Sequence, residues 1–181
     1  MKRTRLVFSG SGGQGVITAG IILAEAAVIY ENMNATQTQT YGAAARGGAT
    51  KTDVIISDSK IYFPEVVQPN ILVCLTQDSY NNFASIIRPG GILLTDLRFV
   101  KTIKKIDAKQ IELPMYENVI KQINKKVVFN ICMLGALIGI TRLLKPSSII
   151  KVLKKRISKD FIDINKKALD MGIKMGREFK K

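Results

Sequence analysis

The stretch "VFSGSGGQGVITAG", residues 7–20, decides the fold. An apolar run stops at a glycine, and apolar or small residues at helical spacing follow: Val16, Ala19, Ile22 or Leu23, Ala26 or Ala27, Tyr30. Read outward from there, "RLVFSG" (5–10) predicts a buried first strand, and residues 15–31 predict a long helix packed on a sheet. Gly10, Gly12 and Gly15 fit the pattern G-x-G-x-x-G at the turn between them. Backbone without Cβ can approach a ligand closely. The helix start then offers unpaired N–H groups and the positive end of a dipole to an anion. A nicotinamide dinucleotide would also need an acid about 20 residues on, at the end of the second strand. That segment reads "TQTQTYG", and Glu31 comes too early. No Lys-Ser or Lys-Thr follows the last glycine, so the loop is not of the nucleoside-triphosphate type. A tight turn that binds nothing stays open as an alternative. Gln14 sits inside the loop, placed to bond a ligand or another chain.

Downstream, "ATQTQT" alternates and is β-branched, "TKTDVIIS" reads as a third strand, and "NILVCLTQ" (70–77) is an apolar run of the kind buried on both sheet faces. "DSYNNFASII" predicts a short helix stopped by "RPGG" (88–91), followed by strands at "GILLTD" (91–96) and "KQIELP" (109–114). After Pro114 the pattern turns helical: "ENVIKQINKK", "VVFNICMLGALIGITRLL", "SSIIKVLKKRI" and "KDFIDINKKALDMGIKMGREF". In the last, Phe161, Ile164, Ala168, Met171, Met175 and Phe179 form one stripe, expected to face the core. Ser147 and Ser148, after Pro146, offer a helix N-cap. Gly135, Ala136 and Gly139 admit the close approach of another backbone, from this chain or a neighbour. Asn130 is an amide in an apolar helix, expected to be satisfied by nearby backbone or to serve a site. Strands alternating with helices, then a helical tail, predict one α/β domain over residues 1–181. The expected fold is three-layered and Rossmann-like, with a mostly parallel sheet and a helical C-terminal region.

Composition removes several chemistries. The 181 residues contain no histidine, which excludes a Ser-His-Asp triad, and only two cysteines, Cys74 and Cys132, far apart among apolar neighbours. Two such thiols hold neither an iron–sulfur cluster nor a structural zinc, and they read as buried thiols of a reducing compartment. No apolar run reaches the ~18–20 residues of a membrane span, and the basic N-terminus runs at once into glycines rather than a signal peptide, so a cytoplasmic location is expected. Net charge is +14: residues 1–97 balance seven basic against seven acidic side chains, and residues 98–181 hold the whole excess. The excess reads as a lysine-rich composition or as attraction to an anionic partner. Aromatics are not interleaved with the lysines, which argues against nucleic acid.

A second loop, "QTYGAAARGGAT" (39–50), has no apolar period, and Arg46 is the sole charged residue between Glu31 and Lys51. A guanidinium fork among small residues suits an anion or a partner carboxylate.

In order and at fitting distances, "GSGGQGVITAGIILAEAA", "TQTYGAAARGGATKTDVIIS" and "VVFNICMLGAL" resemble the gamma subunit of the 2-oxoacid:ferredoxin oxidoreductases, the pyruvate/ketoisovalerate oxidoreductase gamma domain, over roughly residues 5–175. The second loop looks most like the 2-oxoglutarate type, except that Ala43-Ala44 stands where that type carries Pro-Glu, so a loop carboxylate is missing. The resemblance implies a subunit without activity of its own. Alpha and beta companions would hold thiamine diphosphate and magnesium, and a ferredoxin-like delta chain would hold iron–sulfur clusters. The complex would decarboxylate a 2-oxoacid, pass two electrons to ferredoxin and join the acyl group to coenzyme A. No catalytic or metal-binding residue is assigned to this chain. The candidate contacts for coenzyme A are Gly10, Gly12, Gly13, Gln14 and Gly15 in the first loop, with Tyr41, Arg46 and Gly47 in the second. Pyruvate- or branched-chain-specific gamma subunits, and a stand-alone dinucleotide-binding protein, are the alternatives.

Overall fold

The computed structural model describes residues 3–40, 50–103 and 105–179. Strand β1 (Arg3–Gly10) leads through helix α1 (Val16–Tyr30) to β2 (Asn34–Thr40) and β3 (Thr50–Ser57). Then come β4 (Ile71–Cys74), α2 (Gln77–Phe83) with a 3-10 turn at Ala84–Ile86, β5 (Gly91–Asp96) and β6 (Ala108–Leu113). The helical part is α3 (Met115–Gln122), a 3-10 turn at Lys126–Val128, α4 (Phe129–Thr141), α5 (Pro146–Arg156) and α6 (Lys159–Glu178). The strands form one sheet in the order β2-β3-β1-β4-β5-β6. β1, β4, β5 and β6 run parallel, while β3 is antiparallel to both its neighbours. The sheet is thus mostly parallel, within an α/β fold.

Alternation explains why it is buried on two sides. Leu6, Phe8, Val54, Ile56, Ile71 and Val73 enter the core beneath α1, α4, α5 and α6. Their neighbours Val7, Ile55, Leu72 and Cys74 enter a smaller core with Tyr80 and Ala84 of the α2 segment. Successive strand side chains point to opposite faces, so near-continuous apolar runs are what a doubly covered sheet requires. β2, at the edge, is polar apart from Ala35, which packs against the larger core. Both cysteines are buried, and burial pushes the Cys132 thiol up to about 12. Among the described residues no helix is long and apolar enough to cross a membrane.

α4 is the central helix, buried along nearly its whole length. Its glycines meet the backbone of α6 in the same chain: a Cβ at Gly139 would sit 2.5 Å from the Ile173 carbonyl oxygen, and one at Gly172 would lie 2.7 Å from the Ala136 nitrogen. The expected core stripe of α6 is therefore corrected. Its buried face is Asn165, Ala168, Leu169, Gly172, Ile173 and Gly176, whereas Phe161 and Phe179 are 48% and 40% exposed. Of the expected stripe Ala168 is buried, and Ile164, Met171 and Met175 pack at its border. Small residues win the interior position because they let two backbones touch; the larger side chains flank the seam.

The cap of α5 is corrected too. Lys145 is the N-cap residue, Pro146 opens the helix, and neither serine caps it. Instead Glu31, just past α1, accepts from the Lys145 backbone N–H at 3.0 Å and from the Ser148 hydroxyl at 2.6 Å. Burial alone would raise the Glu31 carboxyl, but these two donors and the nearby Lys145 and Lys151 charges outweigh it and hold the group below the usual carboxylate range. Glu31→Gln is expected to cost about 1 kcal/mol at pH 7, the size of a cap contribution. A carboxyl depressed on folding stabilises above its unfolded value, near 4.3, and that stabilisation is lost as pH falls through the lower folded value. Urea unfolding of both chains at pH 7 and pH 3 checks this: the gap should close at the acid end.

Candidate functional site at the C-terminal ends of the parallel strands

Strand order reverses between β1 and β4: the chain leaves β1 toward one edge, and β4 opens the other half of the sheet. In open α/β sheets the crevice outside the carboxyl ends at such a reversal receives ligands. Here it is bordered by the glycine loop after β1 and by Leu75–Gln77 after β4.

The loop is held by its own side chains. Gln14 Oε1 accepts from the Ser11 N–H at 2.8 Å, and its Nε2 donates to the Leu75 carbonyl at 3.1 Å. A Cβ on Gly10 would lie 2.5 Å from that same Oε1, so glycine there makes room for the staple. The Gln14 amide is thus committed to shaping the loop and tying it to β4. Beneath it, the buried Ser9 hydroxyl lies within hydrogen-bond distance of the Thr50 carbonyl, at 3.2 Å, and of Ser79 Oγ, at 3.0 Å. Ser79 in turn bonds the Thr76 side chain, which caps α2. Three strand ends and two loops are fixed together by this network, which sequence reading missed.

Gly15 begins α1 with φ 71°, in the left-handed region, and no side chain caps the helix or puts an acid in its first turn. The N–H groups of that turn lack intrahelical partners. α4 starts beside it, also without an acid in its first turn. The Asn130 side-chain amide donates to the Gly15 carbonyl at 3.3 Å. Its Oδ1 is buried with no partner among the described residues. The backbone expectation for Asn130 thus holds for one end of the amide. The Asn130 contact ties the first turn of α4 to the start of α1, and the partial positive charge of the α1 N-terminus favours an anion there.

Farther along the same rim, Asp96 ends β5 fully buried. Desolvation raises its carboxyl, against the Tyr116 and Arg98 backbone N–H groups that it accepts at 2.8 and 3.0 Å. It caps α3 and the turn after β5. Phe99, Tyr116 and Phe129 pack edge to face, and exposed Arg98 lies 5.3 Å over the Tyr116 ring. Arg98 went unnoticed in the sequence, although its place two residues past a buried parallel strand is a signal that could have found it.

The second loop starts and ends at this rim. Thr40 pairs with Lys51, and Thr50 pairs with Gly10. Tyr41, Arg46 and Gly47 lie outside the described residues. Gly10, Gly12, Gly13, Gln14 and Gly15 are brought together with Asn130, Ser9 and Thr76. The dinucleotide alternative finds no footing in the topology: the place beside β1 that a second parallel strand would fill is taken by antiparallel β3. Among the described residues no three metal-ligating side chains cluster. With no histidine and two buried thiols, the donors present do not fit an iron–sulfur cluster.

Comparison with known proteins bears on the family and the fold. The family model described as pyruvate ferredoxin/flavodoxin oxidoreductase matches residues 5–175. The chain is 40% identical over 178 residues to the 2-oxoglutarate synthase subunit KorC of Methanocaldococcus jannaschii, covering 97% of this chain and 95% of that one. The crystal structure of the keto/oxoacid ferredoxin oxidoreductase gamma subunit from Geobacter sulfurreducens superposes with a TM-score of 0.86 at 33% identity, covering 97% and 99%. The 2-oxoglutarate:ferredoxin oxidoreductase from Magnetococcus marinus, with 2-oxoglutarate, coenzyme A and succinyl-CoA bound, shares the fold. Its TM-score is 0.87 at 20% identity, over 98% of this chain and 32% of that one.

Proposed function

The chain belongs to the pyruvate ferredoxin/flavodoxin oxidoreductase family, and from that premise we propose how its glycine-loop rim serves the enzyme. It is the gamma subunit of a 2-oxoacid:ferredoxin oxidoreductase, and KorC-type relatives along nearly the whole chain support 2-oxoglutarate as the oxoacid. The reaction is oxidative decarboxylation: 2-oxoglutarate and coenzyme A give succinyl-CoA and carbon dioxide, with two electrons passing to ferredoxin. Thiamine diphosphate, magnesium and iron–sulfur clusters are assigned to alpha, beta and delta companions; for the clusters, a sequence with no histidine and two cysteines offers too few ligands. Residues 1–181 act as a single gamma-type domain in the cytoplasm.

This chain's part is to receive coenzyme A. The observation that carries the reading is the uncapped start of α1 at the Gly10–Gly15 loop, at the rim where the second loop is anchored. Coenzyme A carries three phosphates, and such a rim suits one of them. Arg46 adds a full positive charge to the backbone donors. Gln14 contributes by holding the loop in shape.

The test is the complex, co-expressed with its companion subunits and assayed by coenzyme A-dependent viologen reduction. Turnover should be most efficient with 2-oxoglutarate; a preference for pyruvate or a branched-chain 2-oxoacid would replace that assignment. Arg46→Ala should raise the KM for coenzyme A about 10- to 100-fold, as expected for a charge-assisted bond of ~1.5–3 kcal/mol, with the oxoacid KM unchanged. An unaltered coenzyme A KM removes Arg46 from the site.

A further inference from the structure

The opposite end of the sheet has no part in that chemistry, yet it carries a second built surface. β1 runs from Arg3 to Gly10, so the two ends lie roughly 23 Å apart at ~3.3 Å per residue. At the N-terminal end a cleft of about 570 Å³ is lined by Arg88, Lys109, Ile140, Leu143 and Phe179, among others, with no acid on its walls. A neighbouring cleft of about 380 Å³ is lined by Arg3, Arg5, Phe63, Glu65 and Val67, and it shares Arg88 with the first. The two make one trough with four cations and a single carboxylate.

Those charges lack carboxylate partners among the described residues, although Lys109 Nζ lies 5.3 Å over the Phe179 ring. Among the described residues none of Arg5, Arg88 and Lys109 forms an ion pair. Arg3 donates from Nη2 to the Lys60 carbonyl at 3.0 Å, but its Nε is shielded from solvent without a partner among the described residues. The lysine excess of the chain does not explain the trough. Lysine outnumbers arginine twenty to eight, and three of the eight arginines meet here. The rim is apolar as well: Tyr62, Phe63 and Val67 are 86%, 60% and 70% exposed within six residues. Exposed aromatics beside arginines are the composition of protein interfaces, and large apolar side chains massed on a surface call for a cover.

We propose that this trough is the docking surface for an extended acidic segment of a companion subunit, one that also carries apolar side chains for the Phe63 and Val67 rim. The proposal rests on the chain's place in a multisubunit enzyme. Charge selects the occupant. A second copy of a chain with net charge +14 would be repelled, whereas carboxylates would pair with the arginine forks. A small anion would leave the aromatic rim bare.

The experiment uses the tagged full chain co-expressed with its companion subunits. Arg5→Glu with Arg88→Glu should raise the dissociation constant for the companions at least tenfold, while the wild-type complex weakens with added salt. The variant's circular dichroism and Tm, measured on the chain alone, show whether it folds. Independently, Phe63→p-benzoylphenylalanine in the otherwise wild-type chain should photo-crosslink to an acidic stretch of one companion. This holds even if the charge reversal prevents folding. A folded reversal variant with an unchanged dissociation constant overturns the proposal, as does a crosslink to nucleic acid, to a second copy or to a non-acidic surface. A wild-type chain that assembles with no companion overturns the subunit reading and this proposal together. Intact wild-type assembly that ignores the reversal overturns this proposal alone.

Discussion

Gly172→Ala is expected to destabilise the chain by about 3 kcal/mol, at the upper end of overpacking costs, and to lower its Tm by roughly 6–12 °C for a chain of this size. Two effects oppose each other. Alanine is the better helix former by ~1 kcal/mol, which alone would raise stability. Against it, the new methyl would overlap the Cys132 carbonyl and lie 2.7 Å from the Ala136 nitrogen. These are backbone atoms of α4, and no side chain can turn aside to admit it. α4 cannot retreat either, because it is buried on its other sides. Steric cost wins, and the helices must separate. Gly12→Ala is the control: nothing lies within 4 Å of its Cβ position, so its Tm should stay within about a degree of wild type. Thermal unfolding of both variants decides the matter; a Tm that rises for Gly172→Ala would show that the two helices are not in backbone contact.

The second large effect is on catalysis. In the assembled enzyme, Gly15→Ala should lower kcat/KM for coenzyme A by about 100-fold, the scale on which a ~1 Å misplacement acts. Gly15 has φ 71°, which costs a residue with a Cβ ~1–2 kcal/mol. Its Cβ would also lie 2.5 Å from the Asn130 Nδ2, so the amide must leave the Gly15 carbonyl. Both shifts displace the start of α1, where the phosphate is to bind. Adding Asn130→Ala to Gly15→Ala should recover part of the lost stability, since it removes the two closest contacts, but neither the 2.9 Å approach to the residue-130 Cβ nor the strain of the left-handed backbone is relieved. Non-additive unfolding energies would register that coupling. Steady-state kinetics at varied coenzyme A, together with urea unfolding, separate the two contributions. If kcat/KM for coenzyme A stays within twofold of wild type in an intact complex, the ligand does not sit on this helix end.

Strand and helix identities were legible because periodicity is local. Leu6, Val7 and Phe8 announce a doubly buried strand in three letters, and the glycines after them announce the turn. What escaped depends on partners distant in the chain. Nothing local in "TKTDVIIS" says that β3 inserts between β2 and β1. The stripe of α6 was misread because hydrophobicity marked Phe161 and Phe179 as interior, whereas closeness of approach selects Gly172 and Gly176. Glu31 was read against a ribose-binding role and dismissed; its work is to cap a helix that starts more than a hundred residues later. In the site, Asn130 could be singled out as a polar intruder, but its partner Gly15 lies 115 residues away. Arg98 and the Ser9–Ser79–Thr76 network carry no motif.

The glycine seam between α4 and α6 also bears on biosynthesis. Gly135 leaves the ribosome 37 residues ahead of Gly172, which at ~5–20 residues per second is a delay of roughly 2–7 s. Throughout that interval the nascent chain displays a helix with apolar side chains on every side and nothing to shield one of its flanks. Until α6 emerges, that flank is a site where a nascent chain can stick to its neighbours or be held by a chaperone at the tunnel exit.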